Sequence, residues 1–231
     1  MDSIQTFEMI LEHGSRDTTY KFCLLLGVVD YIIENPLQTP TNNFHFIPIF
    51  YLAKQFLAYY YPLISAKIRQ GPLRVNRKSI ALEGYLESFQ EKVKQNKSVP
   101  FSVYTPETTN KLYLLLDTEI LPEELVKLIY QIRHTILEQP LQYIRNVRGE
   151  RMSFFGLLSR NISYDSSFDD HRKAGLGLSL REVKQASSWE ELEALENCNV
   201  FLSHQTYREI AELRFWLRDV LIKRWAQECI Q

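Results

Sequence analysis

The stretch "DTTYKFCLLLGVVDYIIENP", residues 17–36, decides how the chain is read. Thr18 or Thr19 is placed to cap a helix, the run from Phe22 to Val29 is apolar apart from one glycine, and Pro36 stops it. A helix apolar on every side belongs inside a core rather than on a surface. Lys21 at its mouth is the anomaly, because the positive helix terminus disfavours a cation there by about half a kcal/mol. Two explanations stand. Either Lys21 makes a contact that offsets the penalty, or its stem snorkels to solvent or pairs with Asp17 one turn earlier.

Outward from that helix the signals are mostly helical. Ser3 to Glu12 predicts a short helix closed by Gly14. "PLQTPTNNFHF" carries turn chemistry, and Pro48 opens a third helix, "PIFYLAKQFLAYYY", which Pro62 is expected to end. Ile80, Leu82, Leu86, Phe89 and Val93 recur at helical spacing, with Glu83, Glu87 and Glu91 on the wet side. Thr105 and Pro106 start another helix, and Pro122 and Pro140 bracket a further one. Ser179 with Glu182 and Ser188 with Glu191 spell capping boxes. The last helix is expected over Thr206 to Cys229, on an apolar stripe of Ile210, Leu213, Leu217, Val220, Leu221 and Trp225. Residues 63–79 form an irregular basic connection. Residues 141–178 form a second irregular segment, with room for one small hairpin. The expectation is a mainly α, multi-helix single domain over residues 1–231.

The 231 residues suffice to bury a core without staples, and 45% hydrophobic with 24% charged residues is the balance of a globular protein. A formal net charge of −1 means that any nucleic-acid contact needs a local basic surface. Cys23, Cys198 and Cys229 form no CxxC pair, which fits thiols in a reducing compartment and predicts a cytoplasmic protein. The N-terminus lacks the basic and apolar regions of a signal peptide, and the apolar run is too short to span a bilayer, so no membrane partner is expected.

A catalytic constellation is hard to find. The histidines, His13, His45, His134, His171 and His204, form no HxH, HxxxH or HExxH spacing. Asp170 followed by Glu182 and Lys184 mimics the Asp…Glu-x-Lys arrangement with which some nucleases hold magnesium and steady the attacking water. Glu182, however, is already explained by its capping box with Ser179. There is no phosphate-binding GxxxxGK[ST] loop and no GxSxG elbow. No catalytic residue and no metal ligand is assigned.

Basic residues offer more. Between Tyr61 and Leu82 stand Lys67, Arg69, Arg74, Arg77 and Lys78 with no acid, and Gln70 lies among them. This pattern suits contacts to a phosphate backbone. Arg145, Arg148 and Arg151 form a second cluster. The plainer reading is a pair of solvated surfaces balanced by the Glu83/Glu87/Glu91 face.

"TTYKFCLLLGVVD" at 18–30 resembles the "TYKFALLxALxD" opening of bacterial HNH endonuclease-domain proteins. "AYYYPLI" at 58–64, "IRQ" at 68–70 and "FLSHQTYREIAELRFWLRDVLIKRWAQ" at 201–227 are similar to later elements of that group, the last to the long helix that precedes its nuclease module. The resemblance is thin between residues 85 and 195, and its motifs are packing residues. It implies a restriction or phage-defence context in which this chain is the non-catalytic front domain. Such a domain would bind double-stranded DNA, with Lys21 and the two basic clusters as candidate contacts, or dock a nuclease subunit or other protein. A divalent metal would be expected only with the nuclease module, whose CxxC pair and ββα-metal signature are not found here. The alternative, from the residues alone, is a helical protein-interaction domain without nucleic-acid contact.

Overall fold

The computed structural model describes residues 5, 8, 11–12, 19–66, 68, 81–95, 123–141, 146–147, 150–151 and 155–230. The fold is mainly α with a small β element. In chain order the described elements are α1 (Tyr20–Glu34), β1 (Phe44–Pro48), α2 (Ile49–Ser65), α3 (Ala81–Gln95), α4 (Glu123–Glu138), β2 (Asn146–Val147) and β3 (Glu150–Arg151). These are followed by β4 (Gly156–Ser159), α5 (Phe168–Leu176), α6 (Leu180–Val183), α7 (Trp189–Leu195), β5 (Cys198–Ser203) and α8 (His204–Ile230).

The greasy helix is the centre of the molecule. Nearly every residue of α1 is buried, and it packs between α2 and α8. Tyr20, Phe56 and Tyr60 meet as an aromatic cluster, with ring centroids 5.8–6.1 Å apart. Gly27 lets α2 approach closely: a Cβ there would stand 3.0 Å from Leu52 Cδ2. Thr19 precedes α1 but makes no side-chain cap bond, and its hydroxyl instead meets the Tyr60 hydroxyl at 2.7 Å. Pro62 does not end α2. With only three residues to follow, the helix continues to Ser65, and the Pro62 carbonyl accepts a bond from the Ala66 amide.

The strands are the main departure from the sequence reading. β1, β5 and β4 form an antiparallel sheet in that order, with Phe46 opposite Phe201 and Leu157 opposite Val200. Asn42 and Asn43, both at positive φ (51° and 65°), turn the chain into β1, and Thr41 and Phe44 exchange backbone hydrogen bonds across them. "FHF" is thus strand rather than loop. The expected small hairpin is present as β2 against β3, with Asn146 opposite Arg151.

Ser179 and Glu182 close a capping box as expected, and Ser167 with Asp170 closes another that the sequence reading did not mark. At α7 the box is incomplete: Ser188 accepts from the Glu191 amide, but the Glu191 carboxylate returns to the amide and hydroxyl of Ser187. The helix expected from Thr105 and the Gly14 stop lie outside the described residues.

Candidate docking surface

The longest described helix, α8, is fastened on its inner side at three levels. Its start is set by Ser203, whose hydroxyl accepts from the Thr206 amide at 3.0 Å, so the helix begins at His204 rather than at Thr206. There His45 Nε2 and His204 Nδ1 lie 2.8 Å apart, and His45 Nδ1 lies 3.2 Å from Gln38 Oε1. The His45 ring stacks on Tyr207 with centroids 3.7 Å apart, and the Tyr207 hydroxyl donates to the Asn35 carbonyl. Burial, and then the neighbouring His204, lower the pKa of His45. Burial chiefly pushes the Tyr207 hydroxyl up to about 12. Histidines that share no motif in sequence therefore meet in space.

At mid-height Arg218 Nε donates to Asp30 Oδ1 at 2.8 Å, while Tyr59 donates to Asp30 Oδ2. Burial opposes the charge on Arg218, but Tyr59 and Asp30 outweigh it and hold the guanidinium charged. Lower down, Trp225 packs against Tyr60, ring centroids 5.2 Å apart. Ile210, Leu217, Leu221 and Trp225 of the predicted stripe are buried, while Leu213 and Val220 are only partly so.

The outer side of α8 is where apolar surface meets water. Phe215 is 62% exposed, Trp216 52% and Ile222 38%. Half of a tryptophan side chain is about 100 Å² of surface. At about 25 cal/mol per Å², covering it is worth roughly 2–3 kcal/mol. These residues fall off the apolar stripe predicted for this helix. Their signal is that "FW" and Ile222 lie about 100–140° around the helix from the mean direction of the buried Ile210, Leu217, Leu221 and Trp225.

The charged candidates are placed differently. Lys21 is 6% exposed, with Nζ donating to the Leu11 carbonyl at 3.1 Å and lying 5.2 Å from the Phe22 ring centroid. The answer to the anomaly at the mouth of α1 is therefore an internal contact. Lys67, Arg69, Gln70, Arg74, Arg77, Lys78, Arg145 and Arg148 lie outside the described residues, and Arg151 occupies the second position of β3. Asp170 and Glu182 each serve as the acid of a capping box, and Lys184 Nζ pairs with Glu123 at 2.7 Å. Each member of that triplet thus has its own local partner. Among the described residues no group of three or more histidine, cysteine or acidic side chains converges as a metal site.

One buried polar network has no counterpart in the sequence reading. Arg133 and Glu196 pair in the interior, and the amides of Phe50 and Cys198 donate to the same carboxylate at 2.9 and 3.0 Å. The network joins α2, α4 and β5 and is saturated by its own partners, which is the behaviour of a structural clamp.

No curated protein and no solved structure matches the chain. Residues 2–231 match the family described as Domain of unknown function (DUF8808), and the chain belongs to that family.

Proposed function

We propose that this chain is a helical docking domain that engages a protein through the outer face of α8. The observation that carries the reading is the exposure of Phe215 and Trp216 on a helix whose other side is fastened by Asp30, Tyr59 and His45. A rigid helix presenting aromatic side chains loses little conformational freedom on binding, so more of the burial free energy appears as affinity. On the resemblance to HNH endonuclease-domain proteins, a nuclease subunit is one candidate for what is docked. The test is gel filtration of an extract of expressing cells. The wild-type chain should elute in a complex larger than its own 27.3 kDa, and the F215S/W216S variant should elute as the free chain. A wild-type chain that elutes free contradicts the reading.

A second reading keeps contact with double-stranded DNA. It is supported by the five basic residues between Tyr61 and Leu82 with no acid among them. Its test is fluorescence anisotropy of a labelled duplex across a salt series, where several phosphate contacts give a logarithmic slope of about −3 to −5. Absence of binding at low salt removes it.

A further inference from the structure

The docking face of α8 carries its own pattern of charge. At 100° per residue, Arg208, Phe215 and Ile222 line up at seven-residue intervals along its crest, with Asp219 beside them. Glu212, Trp216 and Lys223 follow along one flank. All of these side chains are exposed. Two cations and two anions cancel, so the face offers no net attraction to DNA or to an anionic lipid surface, and Asp219 at its middle would repel phosphate. What suits a neutral face of alternating charge around an apolar centre is another protein with the same pattern in the opposite direction.

We propose that the occupant is a second copy of this chain, laid antiparallel along α8; this rests on the docking reading. In an antiparallel helix pair the same flank of each helix faces the same flank of its partner. A register centred between Leu217 and Arg218 then sets Glu212 of each copy level with Lys223 of the other, twice by symmetry. The same register brings Phe215 of one copy to within two residue steps, about 3 Å along the axis, of Ile222 of the other. Trp216 of one copy comes level with Asp219 of the other, where the indole N–H is a donor for the carboxylate. A parallel pair would instead turn this flank towards the opposite flank of its partner, and the reciprocal Glu212–Lys223 pairing would be lost. The pattern therefore selects the antiparallel dimer.

The test is light scattering of the purified full chain in a concentration series. The expected mass is twice the 27.3 kDa of one chain. Each single reversal, E212K or K223E, should weaken the dimer about tenfold or more, since both ion pairs become repulsive. The E212K/K223E double variant should recover it. An equimolar mixture of the two single variants should form a heterodimer, an outcome that damage to the fold would not produce. A wild-type monomer at concentrations up to about 100 µM overturns self-pairing, because contacts of useful strength would populate the dimer there. So does a dimer indifferent to both reversals. If the pure chain is a monomer yet elutes in the larger complex in extract, self-pairing fails and docking stands; if it is free in both, both fail.

Discussion

Arg133 and Glu196 face each other in the interior, Nη2 to Oε1 at 2.6 Å, with side chains 0% and 1% exposed. Arg133 also donates to the Gly175 carbonyl at 3.0 Å and to Asn197 Oδ1 at 2.8 Å. Its guanidinium sits over the Phe50 ring, 5.2 Å from the centroid. The pair thereby ties the middle of α4 to the start of α2, the end of α5 and the entrance of β5. Losing one partner leaves an uncompensated charge in a dry site, which costs about 3–5 kcal/mol. Glu196→Gln should lower the unfolding free energy by that order in urea titration, while R133M/E196L should cost clearly less. A single variant as stable as wild type would remove the clamp from the account.

The His45–His204 contact predicts a pH dependence. The folded pKa of His45 is lowered, by burial first and by His204 second, from its ordinary value of 6.5. The unfolded chain therefore takes up its proton at higher pH than the folded chain does. The stability contributed by neutral His45 is present above about pH 6.5 and is lost as pH falls towards the lowered value. Urea unfolding at pH 7.5 and 5.5 should show this loss in wild type and a smaller one in His45→Gln. An equal loss in both would contradict it.

Gly156 lies opposite Phe201 in the sheet, and a Cβ built on it would fall 2.1 Å from the Phe201 ring. The same ring packs edge-on against Phe44, centroids 5.1 Å apart. Gly156→Val must push an aromatic stack aside and should destabilise by about 1–3 kcal/mol. Gly84, whose added Cβ meets nothing within 4 Å, is the control: Gly84→Ala should stabilise α3 by up to about 1 kcal/mol. Thermal or urea unfolding of the two variants checks both signs.

Ser167 starts α5, and its hydroxyl accepts from the Asp170 amide at 3.2 Å. Ser167→Ala should cost about 1 kcal/mol. An unchanged denaturation midpoint would show that α5 is held by packing alone.

Much of the helical scaffold is legible in the sequence because apolar period and proline or serine punctuation agree there. The α1 core, the Leu82/Leu86/Phe89 face and the inner stripe of α8 all follow from that agreement. The sheet is not legible. β5 alternates buried and half-buried positions, but its half-buried side carries Phe201, so the apolar alternation is blurred. β1 follows two asparagines in left-handed conformation that read equally well as loop. The docking face escapes because a search for the buried stripe of α8 passes over apolar residues on the opposite side. The Arg133–Glu196 pair escapes because its members are 63 positions apart and each, taken singly, reads as surface charge.

Phe215 and Trp216 are each more than half exposed within the chain, so F215S/W216S should leave it folded and cost clearly less stability than serine at the buried Leu217 and Leu221. A comparable loss would mean that these rings support the fold rather than await a partner.

The most direct measurement is site-specific photo-crosslinking in expressing cells, with a benzophenone side chain at position 216 and, as control, at the exposed Lys173 on α5. The account predicts a discrete protein adduct from position 216 and none from position 173. No adduct from position 216, or the same smear from both positions, would contradict a docking role for the outer face of α8.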